Sequence, residues 1–198
     1  DERRQADFIN EHFYTFYSNN YYQAVALGEQ ALSIAERQNM HSVKALTLKN
    51  IGVVHYLKGD YEKALTHYQR SLDLYESQKD LVGEGNVLRE MANYFKKTGQ
   101  HDKALVNLEK AIQLCTEARD TSCITASLDI RGVVFLELGK LDEAEANFTK
   151  ELALLERTGD QNGLSYTFDN LAAVAPERGR FEQAFQLLER SQDIRQRL

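Results

Sequence analysis

The stretch that decides the fold is LKNIGVVHYLKGDYEKALTHYQRSLDLY, residues 48–75. Its apolar and small residues recur every three or four positions as far as Gly59, and the same period resumes after Asp60. Such a period is typical of amphipathic helices, and a Gly-Asp pair is typical of one helix end followed by a helix start. The stretch therefore predicts a helical hairpin.

The same pattern recurs at an interval of forty residues. Each recurrence has a glycine at the turn and an alanine five residues later: Gly59, Gly99, Gly139 and Gly179, with Ala64, Ala104, Ala144 and Ala184. The register extends back to Asn19 and Ala24, where Asn replaces the first glycine. We predict that the glycines end helices in the left-handed conformation and that the alanines let paired helices approach closely.

Five repeats account for the whole chain, so we expect an all-α protein with one array over residues 1–198. Its repeats are expected at about 2–38, 42–77, 82–117, 122–157 and 162–197. The expected first helices are 2–18, 42–58, 82–98, 122–138 and 162–175, the last ended by Pro176. The expected second helices are 21–38, 61–77, 101–117, 141–157 and 181–197, and the expected N-caps include Asp60, Asp80, Asp120 and Asp160.

The composition argues against several classes of partner. The chain carries 24 Lys+Arg against 30 Asp+Glu, a net charge of −6, without a polybasic run. A nucleic-acid role is therefore disfavoured, and the absence of a long apolar stretch predicts a soluble, cytoplasmic chain without a membrane segment. The two cysteines, Cys115 and Cys123, are expected as free thiols, although their positions beside the turn near Arg119 make a bridge conceivable.

Nothing in the sequence predicts catalysis. The five histidines are scattered, no Cys–His spacing suits zinc, and no phosphate-cradling loop is found. We therefore expect a protein that is not an enzyme and has no metal or cofactor.

The order of residue types in the repeat resembles the tetratricopeptide repeat. The residues that carry the resemblance in the second repeat are Leu48, Ile51, Gly52, His55, Tyr56, Gly59, Tyr61, Ala64, Tyr68 and Ser71. The period of forty is similar to the long variety found in kinesin light chain, in spindle-orientation adaptors and in bacterial regulators. The resemblance implies a right-handed superhelical solenoid of five helical hairpins, whose first helices line a concave face, and it suggests a bacterial source.

The resemblance also implies a peptide-binding face. Asn10, Asn50 and Asn170 share one register, and an asparagine row can hold the backbone of an extended peptide. Lys49 and Arg89 could receive a carboxylate. The residues predicted to bind a peptide or partner protein are Asn10, Lys49, Asn50, Asn86, Arg89, Asn93, Asp129, Asp169 and Asn170. The alternative is structural: these amides bond to neighbouring turns and the charges form a solvated face.

Departures from the pattern occur in the first, fourth and last repeats, the first with Glu11, His12 and Gly28 at normally apolar, small and aromatic positions. In the fourth, Arg131 and Glu151 stand at positions that normally face the hairpin core, where they either pair with each other or extend to solvent at the helix edge. In the last, the residues Phe185, Leu188, Ile194 and Leu198 form an apolar stripe with no following helix in the sequence. This stripe predicts a cover, either further chain or a second copy, and favours an alternative function in oligomerisation through the ends of the array.

Overall fold

The computed structural model describes residues 2–198, apart from the side chains of Tyr14, Ser18 and Asn19. The part played by Asn19 in the repeat register therefore lies outside the described residues. The described chain contains helices and no strand, which confirms the all-α prediction. The helices are α1 (Glu2–Glu11), α2 (Phe13–Asn19), α3 (Tyr21–Arg37), α4 (His41–Lys58), α5 (Tyr61–Gln78), α6 (Leu81–Lys97), α7 (His101–Glu117), α8 (Thr121–Glu137), α9 (Leu141–Thr158), α10 (Gln161–Glu177) and α11 (Phe181–Arg197).

The chain forms two compact units, an N-terminal unit that ends at Thr98 and a C-terminal unit that begins at Gly99. The N-terminal unit contains α1 to α6, with α4 and α5 forming a complete hairpin. The C-terminal unit contains α7 to α11, with the hairpins α8/α9 and α10/α11. That all five repeats act as one array stays a prediction.

Two helix boundaries differ from the expectation. The first expected helix is divided at His12, whose φ of −104° and ψ of 13° depart from helical values. The expectation that Pro176 ends its helix is wrong, because α10 continues to Glu177. Pro176 lies in the last turn, where its missing N–H removes only the one bond to the carbonyl of Ala172, and the helix ends one residue later. The proline therefore costs the helix little at this position.

The turns inside the hairpins depend on glycine. Gly59, Gly99, Gly139 and Gly179 have φ values of 90°, 73°, 70° and 71°. These are left-handed conformations, which other residues adopt at a steric cost. The turn position therefore explains why glycine recurs at this interval.

Helix starts at the junctions between hairpins are capped by aspartate, as predicted. The carboxylates of Asp80 and Asp120 accept the N–H of Gly83 at 2.9 Å and of Cys123 at 2.8 Å. Asp160 accepts the N–H of Gly163 at 3.0 Å in the same way. The prediction for Asp60 is wrong, since its side chain makes no cap bond and instead accepts the hydroxyl of Tyr21 at 3.2 Å.

The hairpin core pairs a small residue with an aromatic ring. A Cβ at Gly52 would lie 2.6 Å from the ring of Tyr68, and a Cβ at Gly132 would overlap the ring of Phe148. Both rings are completely buried. The glycine of the first helix therefore leaves the space that the aromatic ring of the second helix fills.

The junctions between hairpins show the same complementarity in volume. The ring of Tyr75 fills the space over Gly83, and Leu155 fills the space over Gly163. The equivalent pair forty residues after Tyr75 and Gly83 is Cys115 and Cys123.

Cys115 and Cys123 form a disulfide, with their Cα atoms 5.8 Å apart. The expectation of two free thiols is therefore wrong. The physical reason is the tight turn at Arg119, whose φ of 57° brings the end of α7 next to the start of α8.

Candidate functional site

The residues predicted to bind a partner lie on the first helix of each hairpin. In the N-terminal unit they lie on α1 (Asn10), α4 (Lys49, Asn50) and α6 (Asn86, Arg89, Asn93). In the C-terminal unit they lie on α8 (Asp129) and α10 (Asp169, Asn170). We call these two sets the N-terminal and the C-terminal first-helix faces and describe each within its own unit.

Asn10 and Asn50 form a buried hydrogen-bond network. The amide of Asn50 donates to Asn10 Oδ1 at 3.0 Å, and the amide of Asn10 donates to Thr47 Oγ1 at 2.8 Å. Asn10 is 9% exposed and Asn50 is 3% exposed. These amides join α1 to α4 inside the fold, and the amide of Asn10 also donates to the carbonyl of Ala6 in the neighbouring turn. A role for them in peptide binding stays a prediction.

Lys49 is a half-buried cation on the N-terminal first-helix face. Burial lowers the pKa of its ammonium group, Arg89 lowers it further, and Glu90 opposes the shift. Among the described residues, no carboxylate lies within ion-pairing distance of Lys49, because Arg89 takes the carboxylate of Glu90 at 2.9 Å. Burial of the Lys49 ammonium group therefore costs desolvation free energy that no ion pair within the described residues offsets.

Aromatic rings of α4, α5 and α6 form a row that begins at Tyr56, two helical turns after Lys49 on α4. The ring centroids of Tyr56 and Tyr61 are 5.8 Å apart, and those of Tyr61 and Tyr94 are 6.2 Å apart. Burial raises the pKa of Tyr56, and the negative charge of Glu90 contributes. Asn93, a half-buried residue, precedes Tyr94 on α6. The recurrence of tyrosine in α4, α5 and α6 is the sequence feature from which this aromatic row could have been predicted.

The C-terminal first-helix face is acidic and partly paired. The amide of Asn170 donates to Asp129 Oδ1 at 2.7 Å. Asp169 forms an ion pair with Arg195 of α11, and the guanidinium of Arg195 also lies 5.6 Å from the ring centroid of Tyr166. This face therefore holds two carboxylates in contact with neighbouring side chains.

Arg131 and Glu151 do not form the predicted pair. Arg131 Nε donates to Asn147 Oδ1 at 2.7 Å, and its guanidinium forms an ion pair with Glu109. The alternative, that both side chains extend to solvent, is also wrong for Glu151, which is 5% exposed. Asn147 lies on α9 and Glu109 lies on α7, so the packing of these helices against α8 brings both side chains to Arg131.

Glu151 is a buried acid with an unsatisfied oxygen. Its Oε2 has no hydrogen-bond partner among the described residues. Burial raises the pKa of Glu151 to about 8, the charge of Asp129 raises it as well, and a hydrogen bond with Thr167 acts in the opposite direction. The carboxyl group is therefore largely protonated at neutral pH.

One register position reverses its charge along the chain. The four residues at this position of the first helices, at intervals of forty, are Lys49, Arg89, Asp129 and Asp169. The N-terminal unit therefore carries cations where the C-terminal unit carries anions. The sequence contained this signal, since the position is the same in every hairpin.

Neither a metal site nor a membrane segment is found in the part of the chain that the structure describes. Within residues 2–198, no group of three or more His, Cys, Asp or Glu side chains is arranged to hold a metal ion. No described helix combines the length and apolar character needed to cross a bilayer.

The structure is similar to solved structures of helical repeat proteins. A Rap protein complexed with Competence and Sporulation Factor aligns with a TM-score of 0.82 at 20% identity, over 96% of this chain and 53% of that chain. Aspartyl phosphate phosphatase F from Bacillus subtilis aligns with a TM-score of 0.74 at 17% identity, over 99% of this chain and 61% of that chain. The repeats of a putative kinesin light chain from Podosopora anserina align with a TM-score of 0.70 at 16% identity, over 98% of this chain and 94% of that chain. At these identities the likeness shows the fold.

No curated protein sequence matches the chain significantly. The family model of the tetratricopeptide repeat matches residues 12–77, 44–117 and 122–197, which together cover most of the chain. The turn glycines, the small-to-aromatic contacts in the hairpin cores and this match agree: the chain belongs to the tetratricopeptide repeat family.

Proposed function

We propose that the chain is a protein-interaction module that binds an extended peptide or partner segment on its first-helix faces. The observation that carries the proposal is Lys49, a half-buried cation without an ion pair, on the same helix as Tyr56, where an aromatic row begins. A desolvated cation suits an acidic side chain or a terminal carboxylate, and a row of tyrosines along the same face suits apolar contacts. The N-terminal first-helix face is therefore proposed to accept an acidic segment.

The relatives support a binding role. One similar structure was solved as a complex with Competence and Sporulation Factor, so an array of this architecture can hold a ligand. The family fold presents side chains from successive helices at regular intervals, which suits a segment bound along several repeats. Signalling, a cytoplasmic location and a bacterial source belong to the same proposal.

A peptide library tests the proposal. The chain is screened against immobilised peptides that vary in charge, and binding of the selected peptides is measured by fluorescence anisotropy. We expect the double variant Lys49→Met/Asn93→Ala to weaken binding of acidic peptides by at least about tenfold, since a charged pairing contributes about 1.5–3 kcal/mol. The matched control is Lys63→Met, an exposed lysine on the second helix α5. Equal affinity in the double variant and the wild type would contradict the proposed face.

A second candidate function rests on the last helix. Phe181, Phe185 and Leu188 follow one another at helical spacing on α11 and are 62%, 67% and 47% exposed. Such a stripe favours association of this end with another apolar helix. Sedimentation velocity over a range of concentrations tests self-association, with Phe185→Glu as the disrupting variant and Val106→Glu as the control. A strict monomer at every concentration would exclude self-association.

A further inference from the structure

One position of the second helices normally holds a small residue that the fold itself satisfies. In the N-terminal unit, Ser71 Oγ donates to the carbonyl of Ala45 at 2.7 Å. In the C-terminal unit, Ser191 Oγ donates to the carbonyl of Ser165 at 2.9 Å. Between them, the third repeat has Ala111 at this position and the fourth has Glu151. The scaffold therefore needs only a small residue here, and a glutamate is not required for packing.

The carboxyl of Glu151 is poorly satisfied inside the fold. It is 5% exposed, and its Oε2 has no hydrogen-bond partner among the described residues. The hydroxyl of Thr167, whose hydrogen bond lowers the pKa of Glu151, also donates to the carbonyl of Gly163 at 2.9 Å, so the carboxyl group has no donor of its own there. A buried acid without a cation is costly, and here no structural need offsets the cost.

Asp129 connects this buried acid to the surface. It lies on the first helix α8 at the register of Lys49 and Arg89, is half-buried, and raises the pKa of Glu151 through its charge. The amide of Asn170 donates to Asp129 Oδ1 at 2.7 Å and orients the carboxylate. The helices α8 and α9 pack against each other, so a half-buried and a buried carboxyl group belong to one hairpin, near enough for the charge of Asp129 to act on Glu151.

We propose that Asp129 and Glu151 together bind a basic side chain, lysine or arginine, of the segment held on the C-terminal first-helix face. This inference rests on the proposed function and names the chemistry of the partner at that point. The cation contacts Asp129 first, and its charge favours ionisation of Glu151. The O–H bond of the Glu151 carboxyl then breaks, its proton passes to solvent, and the resulting carboxylate is the second anion for the cation.

Binding at this site releases a proton and should depend on pH. Asp129 from α8 and the hydroxyl of Thr167 from α10 face Glu151. Of the other charged side chains on α8 and α10, Arg131 pairs with Glu109, Glu137 contacts His101, Asp169 pairs with Arg195, and Glu177 is exposed. The affinity for a cation should therefore rise between about pH 6 and about pH 9, by up to about tenfold for each pH unit below the pKa of Glu151.

Carboxyl-detected NMR with a defined probe tests the site. The probe is the acetylated and amidated tripeptide Gly-Arg-Gly, and its control replaces arginine by the uncharged isostere citrulline. We expect a dissociation constant on the order of millimolar for the arginine probe, a shift of the Asp129 and Glu151 carboxyl resonances, and a lower pKa of Glu151 in the complex. Citrulline should cause none of these changes.

Three variants separate the site from a general charge effect. Asp129→Asn should weaken the arginine probe at least about fivefold, and Glu151→Gln should abolish the pH dependence. Glu151→Ser, which restores the residue type of Ser71 and Ser191, should leave the fold intact and also weaken the probe. Glu143→Gln, an exposed acid on the same helix, is the matched control.

Equal binding of the arginine and citrulline probes, or equal losses in Glu143→Gln and Asp129→Asn, would overturn the proposal. Failure of this site and failure of the proposed function are distinguishable. Library peptides that bind the wild type without any preference for a basic residue would contradict this site alone. A chain that binds the arginine probe at Asp129 and Glu151 but no library peptide would contradict the proposed function.

Discussion

The two units are built from the same repeat, and each buries an ionisable group, a base in one and an acid in the other. On the N-terminal first-helix face, Lys49 is half-buried, and burial lowers the pKa of its ammonium group. In the C-terminal unit, burial raises the pKa of Glu151 to about 8. Both groups disfavour their charged form, for the same physical reason and with opposite sign. The comparison teaches that the scaffold is common to both units and that their specificity lies in a few positions that the scaffold leaves open.

Removing the ring that fills the hairpin core should have the largest effect and should be the same in both units. Tyr68→Ala and Phe148→Ala each remove a completely buried ring that packs over a glycine. We expect each to lower the free energy of unfolding by about 3–5 kcal/mol in urea denaturation, because the cavity cannot collapse fully. Val106→Ala, at a position 70% exposed, is the control. A loss in only one unit would break the claim of a common scaffold.

Neutralising Glu151 should stabilise the protein in a pH-dependent way. The pKa of Glu151 is about 8 in the folded chain and lower in the unfolded chain, so the stability associated with its protonated form is present at low pH and is lost as pH rises towards 8. Glu151→Gln removes this loss. We expect its advantage over the wild type to grow by about 2–4 kcal/mol between pH 5 and pH 8 in chemical denaturation. An advantage independent of pH would contradict the buried acid.

Lys49→Met gives the opposite dependence in the N-terminal unit. Because burial lowers the pKa of Lys49, the protonated lysine destabilises the folded state below that pKa, and this cost disappears as pH rises towards the value in the unfolded chain. The methionine variant should therefore be more stable than the wild type at neutral pH, with an advantage that shrinks under alkaline conditions. Chemical denaturation extended from neutral to alkaline pH measures this dependence, and an advantage that does not shrink would contradict the buried lysine.

Reducing the disulfide should destabilise the C-terminal unit. Cys115 and Cys123 are eight positions apart, and closing a loop of this size is worth about 2–3 kcal/mol. We expect the double variant Cys115→Ser/Cys123→Ser to lose this amount in unfolding experiments and to be insensitive to reductant, in contrast to the wild type. Titration of two free thiols in the denatured, unreduced protein would show that the bridge is absent.

The smallest expected effect concerns the helix caps, which are the same in both units. Asp80→Ala and Asp120→Ala each remove a carboxylate that accepts a backbone N–H at the start of a first helix. Each should cost about 1 kcal/mol of stability. The carboxylate of Asp60 makes no cap bond, so Asp60→Ala should not increase hydrogen exchange at the start of α5. Hydrogen exchange at the first turns of α5, α6 and α8 distinguishes these cases.

The repeat, its turns and most of its helices could be predicted because they depend on local rules. Glycine at the turns and aspartate at the junction caps follow from backbone conformation and from unsatisfied N–H groups. The exceptions are also local. His12 interrupts a helix that the pattern made continuous, and Pro176 is tolerated because it lies in a final turn.

The site was harder to predict because it depends on distances between helices. Arg131 was expected to meet Glu151 or solvent, yet its partners are Asn147 and Glu109, the latter on the preceding helix. Asn50 was expected on a peptide-binding row, whereas its amide bonds to a residue forty positions earlier. In both cases the partner is decided by the distance between side chains on different helices. The helical period of the sequence does not contain these distances.

The disulfide is different, because a signal in the sequence was overlooked. Tyr75 stands forty residues before Cys115, and Gly83 stands forty residues before Cys123. A bulky residue over a glycine occurs at that junction and again at Leu155 and Gly163. The repeat register therefore places the two cysteines in contact. Two side chains of medium size occupy the space that a large side chain over a glycine fills at the other junctions.

The central claim is that partners bind the first-helix faces and not the second helices. It is tested most directly by hydrogen–deuterium exchange of the chain with and without a library-selected peptide. The account predicts new protection on α4 and α6 in the N-terminal unit and on α8 and α10 in the C-terminal unit. Protection confined to α5, α7 and α9, or to the apolar stripe of α11, would contradict it.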